Sequence, residues 1–299
     1  MKNMAIGRMS VVRNADRYFT VAVDECKDWG IKGVMFHGND SQGICYNSLL
    51  EMIMNMDRIF DDIGSPKQTF QMRCFPGAKP PAFVTRRCEE EQREGKEATF
   101  FIYVQYRYHA SLQGTISWQG GERTEAFESE LQLILLIDEI LNGRFPESQE
   151  GKSLNSCHVS IDVYNSGRIV GNYQNIPAEK VEQFSVPVDL AGSLCNFMEI
   201  GISEDETLKY GLNYGQLISS EACSMCRKGG QKASFSIKVM FQEYSTWQGI
   251  IYWREGRVQL PFRSFKEMLY MIASAAEAAT ANDGDRDYGE EAPSFAIGS

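Results

Sequence analysis

The sequence predicts an α+β fold made by tandem duplication of a two-module domain. Four β-β-β-α modules, A, B, A′ and B′, form antiparallel sheets with helices packed on one face. Three observations predict it. First, residues 98–137 match residues 233–272 without a gap at an offset of 135. Ala98, Phe100, Ile102 and Val104 recur as Ala233, Phe235, Ile237 and Val239. Gln113, Gly114, Ile116, Trp118, Gly121, Phe127, Ser129 and Ile137 recur as Gln248, Gly249, Ile251, Trp253, Gly256, Phe262, Ser264 and Ile272. Second, a fainter match at an offset of 138 sets Val21, Val23, Asp24, Ile31 and Gly33 on Val159, Ile161, Asp162, Ile169 and Gly171, with Tyr46 on Phe184 and Met56 on Leu194. Third, within a copy a period-two pattern gives way to a helical period after a Ser. An offset near half the chain is too long for a solenoid unit.

Module B shows the elements in order. Phe100, Ile102, Val104 and Tyr106 alternate as in a half-buried strand. A turn follows at His109 to Ser111. Gln113-Gly114 opens a second strand with Ile116 and Trp118 on one face, Gly120-Gly121 turns the chain, and a third strand ends at Phe127. Ser129 then starts a helix. Ser48-Leu49-Leu50-Glu51, Ser129-Glu130-Leu131-Gln132 and Ser264-Phe265-Lys266-Glu267 all fit the capping box S-x-x-E/Q. Module A′ has Val186-Pro187-Val188-Asp189, with Pro suited to the first helical position. Leu49, Met52, Ile53, Met56 and Phe60 recur at helical spacing, as do Phe265, Met268, Leu269, Ile272 and Ala276. Between modules A and B, Thr69, Gln71 and Arg73 alternate with Phe70, Met72 and Cys74, which predicts an extra strand before Pro76.

A module of roughly 45 residues buries little alone, so A pairs edge to edge with B. The polar stretch from Pro146 to Asn155 divides a first half, residues 14–150, from a second, 151–277. Residues 278–299 are acidic and aperiodic and are expected to be a disordered tail.

Net charge is −10, from 30 Lys and Arg against 40 Asp and Glu, which argues against nucleic acid as partner. The N-terminal residues hold no signal-peptide core and no window is apolar enough for a membrane span, so a cytoplasmic chain with reduced thiols is expected. Cys223-x-x-Cys226 is the one metal-like spacing. A zinc site wants a second pair, and none exists, so the pair is read as structural. His37, His109 and His158 form no metal or catalytic spacing, and no nucleophile elbow or phosphate-binding glycine motif is present. Gly229-Gly230 with Arg227, Lys228 and Lys232 reads as a solvated turn. Trp118 and Trp253 share strand parity with core isoleucines and are assigned to the core.

The remaining signal is a second apolar sheet face. Phe101 and Tyr103, with Met240, Ile250 and Tyr252, lie opposite the helix-packed face. Such a face needs a cover, from the other half or from a partner. The first expectation is therefore a non-enzymatic interaction or scaffold protein, self-associating, with no cofactor. The alternative is a nucleotide or small-ligand sensor with an anion held by Arg73, Arg86, Arg87, Arg168 or Arg254 in a cleft between halves.

The run Trp247-Gln248-Gly249-x-Ile251-x-Trp253, followed by Phe262-Arg263-Ser264 and a helix, resembles a pattern in uncharacterised small cytoplasmic proteins of anaerobic Gram-positive bacteria. Residues 33–75, with Asn47-Ser48-Leu49 and Met56-Asp57, resemble a companion pattern. The resemblance spans about half the chain; it implies a bacterial cytoplasmic setting and no chemistry.

Overall fold

The computed structural model describes residues 14–27, 30–38, 40, 42–83, 85–121, 123–143, 156–165, 168–175, 181–184 and 230–286. A 3₁₀ turn at Asn14–Arg17 leads into β1 (Tyr18–Lys27), β2 (Gly30–His37), β3 (Gly43–Tyr46) and α1 (Leu49–Ile63). After β4 (Arg86–Cys88) come β5 (Ala98–Tyr106), β6 (Gln113–Trp118), β7 (Thr124–Phe127) and α2 (Glu130–Asn142). The second half holds β8 (Ser156–Asn165), β9 (Arg168–Asn175), β10 (Val181–Phe184), β11 (Ala233–Phe241), β12 (Gln248–Trp253), β13 (Val258–Phe262) and α3 (Phe265–Arg286). The fold is mixed α+β with two antiparallel sheets. One has seven strands, ordered β4-β3-β2-β1-β5-β6-β7, and the other six among the described residues, ordered β10-β9-β8-β11-β12-β13.

The registers follow the sequence match position by position. Phe100 pairs with Trp118 and Val104 with Gly114, then a bulge precedes Tyr106 opposite Gln113. Phe235 pairs with Trp253 and Val239 with Gly249, then a bulge precedes Phe241 opposite Gln248. The central joint agrees too: Val21 faces Phe100 in one sheet and Val159 faces Phe235 in the other. Gly114 and Gly249 recur because backbone approaches there. A Cβ on Gly114 would sit 1.9 Å from the Tyr103 carbonyl oxygen, and one on Gly249 2.0 Å from that of Lys238.

Each described helix starts on its Ser. The Ser48, Ser129 and Ser264 hydroxyls accept from the Glu51, Gln132 and Glu267 amides, all at 3.0 Å. The return bond differs from the standard box. Glu51, Gln132 and Glu267 reach past the Ser to the amides of Asn47, Glu128 and Arg263, each at 2.8 Å. Gly64 and Gly143 close α1 and α2 in the left-handed conformation, at φ 78° and 65°.

Inward residues of both sheets and of the three described α-helices form one continuous hydrophobic cluster, from Phe19 and Phe60 through Ile116 and Ile134 to Phe235 and Ile272. The halves therefore share a core.

Three expectations are corrected. No strand forms over Thr69 to Cys74; a lone bridge joins Gln68 to Arg107, and Arg73 turns away to a helix of the other half. Tyr106 is exposed, because the bulge after Val104 breaks the alternation. α3 runs to Arg286, so the first part of the segment read as tail is helical. The Pro146–Asn155 boundary, the third-module helix and the rest of the tail lie outside the described residues.

Candidate functional site

The two halves meet at the hairpins after β5 and β11. In the first, the Gln113 amide clips both backbone groups of Tyr108, accepting from its N–H at 2.8 Å and donating to its carbonyl at 3.1 Å. Gln248 does the same to Glu243, at 2.9 and 2.8 Å. Each clip holds two consecutive non-glycine residues in the left-handed region: His109 and Ala110 at φ 55° and 56°, Tyr244 and Ser245 at 56° and 54°. Such residues cost on the order of 1 kcal/mol each and persist only where surroundings fix them.

The surroundings are reciprocal. Ser129 Oγ donates to the Ser245 carbonyl at 2.5 Å, and Ser264 Oγ donates to the Ala110 carbonyl at 2.8 Å. The helix-start amides of Glu130 and Phe265 donate to Ser111 Oγ and Thr246 Oγ1, at 3.3 and 2.9 Å. His109 and Tyr244, matched positions in the repeat, stack on each other with centroids 3.8 Å apart and planes 6° apart. An approximate two-fold axis therefore runs between these rings.

Beneath the hairpins lies a buried ionic cluster with no counterpart in the repeat. Lys266 Nζ donates to Asp57 Oδ2 at 2.6 Å, and Arg107 Nε to Asp57 Oδ1 at 3.1 Å. Arg107 also reaches Asp61 at 2.7 Å and the Pro66 carbonyl at 3.3 Å. Glu130 accepts from the Lys266 amide at 2.6 Å and from Ser111 Oγ in a short contact. Burial pushes the Glu130 carboxyl above its ordinary range, against the pull of Lys266 and Ser111. Asp57, Arg107, Ser111, Glu130 and Lys266 are all buried. The cluster ties α1, α2, α3 and the first hairpin together, and it meets solvent at exposed Asp61.

The candidate arginines are not gathered. Arg73 binds Glu267 through Nε and Nη2, at 3.1 and 2.9 Å. Arg263 shares that carboxylate at 2.5 Å. Arg86 holds Glu51 at 2.6 and 2.9 Å. Both glutamates are the capping residues of helices, α3 and α1. Residues 65–83 thus strap the halves: Phe75 also packs on Phe235 and Trp253, and the Ala82 amide donates to Glu277. Arg87 is exposed, 3.3 Å from Gln42. Arg254 lies in the exposed turn after β12. Arg168 opens β9, and its side chain lies outside the described residues.

The outer face of the seven-stranded sheet is half covered. Toward β2 and β3, Ala22, Val34 and Phe36 form a small buried cluster flanked by Cys45 and Cys88. Residues 92–96 lie there too, with Arg93 clamped on Asp24 at 2.7 Å through both terminal nitrogens and Gln92 on Thr20 at 3.0 Å. Toward β5 the face is open. Phe101 is 42% and Tyr18 46% exposed. Tyr103 stacks on Tyr18 at 4.6 Å and donates to Asn14 at 3.1 Å. On the other sheet, Met240 and Tyr252 are half-buried, whereas Ile250 is buried and offers no contact area.

Sequence reasoning missed Tyr18, Tyr108 and Tyr244 as surface aromatics. Strand parity could have placed Tyr18 beside Tyr103; the turn residues carry no periodic signal. Trp118 and Trp253 pack on the core from partly exposed positions. Burial raises the Cys45 thiol to about 11, aided by Cys88, and the Cys157 thiol to about 12, so neither is a thiolate near pH 7. Cys223 and Cys226 lie outside the described residues. Among the described residues, no group of His, Cys, Asp and Glu has metal-site geometry, and no helix is long and apolar enough to cross a membrane. No family model, no curated protein and no solved structure matches the chain.

Proposed function

We propose that this chain is a non-enzymatic interaction protein, built by tandem duplication of a two-module domain and self-associating through the open outer face of its seven-stranded sheet. The observation that carries the reading is the contrast within that face. One side is sealed by a clamped segment, and the other leaves Tyr18 and Phe101 exposed and Tyr103 half-buried. Thr115 and Ser117 complete the open side by register, and Arg17 lies at its end on the Gln105 carbonyl. On a chain of net charge −10, a patch whose strand residues are aromatic or hydroxyl-bearing is where a second copy approaches with least repulsion. The equal registers and reciprocal hairpin contacts support the duplication and read as a dimer closed within one chain. The resemblance of the stretch from Trp247 to Ser264 adds a bacterial cytoplasmic setting to this reading. An anion-sensing role has less support, because Arg73 and Arg86 are committed to Glu267 and Glu51.

Size-exclusion chromatography with light scattering tests it. The expected mass is twice 33.8 kDa or more, and Phe101→Glu is expected to return the monomer without unfolding. A wild-type chain that is monomeric throughout overturns the proposal.

A further inference from the structure

At the edge of the seven-stranded sheet two cysteines meet. Cys45 lies on β3, and Cys88 ends β4, the outermost strand. Gly43 faces Cys88 and Cys45 faces Arg86 in the register, so the two cysteines are diagonal neighbours on one side of the sheet. Both are half-buried against the small cluster of Ala22, Val34 and Phe36, and their thiols hydrogen-bond to each other. Gly43 makes the room. A Cβ there would sit 2.9 Å from Cys88 Sγ and 2.4 Å from a Val34 methyl carbon. The Cys88 sulfur therefore occupies the space over Gly43, beside Cys45. Packing at this strand position does not demand a thiol. Tyr46 faces Gly33 as Phe184 faces Gly171, so Cys45 matches Gln183 of the other sheet, a polar amide.

We infer that Cys45 and Cys88 are a site of reversible oxidation, which closes to a disulfide by exchange with a small disulfide of the glutathione type. The exchange balances in two steps. Cys88, at the sheet edge, loses its proton and attacks one sulfur of the reagent. One glutathione leaves, and the other stays bonded to Cys88 Sγ. Cys45 then loses its proton and attacks Cys88 Sγ, which breaks the mixed disulfide and releases the second glutathione. Two electrons pass to the reagent, and the two protein protons end on the two glutathione thiols. Cys45 suits the second role. Burial raises its thiol to about 11, with Cys88 and Glu90 adding to the rise and Arg86 opposing it. It is a poor first nucleophile, but a mixed disulfide formed against it needs no diffusional encounter.

The bond latches the three-residue edge strand β4 to β3. β4 leads into residues 89–97, which cover part of the outer face through Arg93 on Asp24 and the Glu97 amide on the Val23 carbonyl. The closed loop also encloses α1 and residues 65–83, the segment that straps the halves. Closing so long a loop restricts the unfolded chain, so the oxidised form is the more stable one. In a reducing compartment the pair rests as thiols and closes as small disulfides accumulate. Neither the open aromatic face nor self-association enters this inference.

The test treats the folded, reduced full chain with oxidised glutathione at about pH 8, then alkylates, digests and maps the peptides by mass spectrometry. The expected product is a Cys45–Cys88 cross-linked peptide, two hydrogens lighter than its thiol forms and reopened by dithiothreitol. Cys45→Ser is expected to stop with glutathione on Cys88, and Cys88→Ser to leave Cys45 unmodified. Oxidation is expected to raise the unfolding temperature of wild type by several degrees and of neither variant. Absence of the cross-linked peptide from folded protein, its formation in denaturant alone, or an equal rise in the serine variants would each overturn the inference. So would glutathione uptake by Cys45 in Cys88→Ser as fast as by Cys88 in Cys45→Ser. Should a serine variant not fold, the wild-type peptide map decides alone. Phe101→Glu is expected to form the same cross-link, so a monomeric chain sinks the self-association reading and leaves this one standing.

Discussion

Two buried glutamates, Glu130 and Glu267, make opposite contributions to stability against pH. Burial raises the Glu130 carboxyl above its ordinary 4.5. Its folded form therefore holds a proton more tightly than the unfolded chain, and stability falls as pH rises above 4.5 through the folded value. Glu130→Gln keeps an acceptor for the Lys266 amide, and its NH2 donates to Ser111 Oγ in place of the hydrogen bond that Glu130 accepts from it. It is expected to raise stability on the order of 1 kcal/mol at pH 7, with the gain shrinking toward zero near pH 4, as read by urea unfolding at both pH values. At Glu267, burial pushes the carboxyl up, but Arg73 and Arg263 outweigh it and hold it below 4.5. Its contribution is present above 4.5 and lost as pH falls through the lower folded value. Glu267→Gln is expected to cost about 2 kcal/mol at neutral pH, with wild type and variant converging in acid. Neither glutamate was legible beyond its helix-start position. The sequence pattern marks Glu267 as a capping residue, but the arginine from residues 65–83 that meets it arrives through tertiary packing.

At the level of elements, hydrophobic alternation and the capping serines are local signals, and the strands and helices they predict are present. Where local alternation met a stronger tertiary demand, it lost. Thr69 to Cys74 alternate, yet Arg73 is drawn to the buried carboxylate of Glu267, and Phe75 is drawn onto Phe235 and Trp253. The bulge at Val104 turned Tyr106 from an expected inward position to the surface. Two of the capping serines, Ser129 and Ser264, also do a second task that no local pattern shows, since each donates to the hairpin of the other half. Ser129→Ala and Ser264→Ala each remove a cap, worth about 1 kcal/mol, and leave a carbonyl at the seam without its donor. Equal losses of about 2 kcal/mol are expected in thermal unfolding, because the contacts are reciprocal. A loss confined to one site would argue against the approximate two-fold.

Across the whole molecule, the repeat in the sequence already carried the architecture, because equal residues at equal spacing impose equal registers. It did not show how the halves face each other. The hairpin contacts depend on Ser129, Ser264, His109 and Tyr244, which are ordinary residues until the chain closes. The ionic cluster depends on Lys266 and Arg107, which stand where the other copy has Leu131 and Gln242. Under the proposed duplication, these departures are places where each half has specialised. The same closure leaves one sheet face half sealed and half bare, and self-association through the bare half is the central claim. Sedimentation velocity over a wide dilution series measures it most directly. The account predicts a fast species that dissociates on dilution for wild type and a slow species at every concentration for Phe101→Glu. A single slow species for wild type at the highest concentration, or an unchanged fast species for Phe101→Glu, would contradict it.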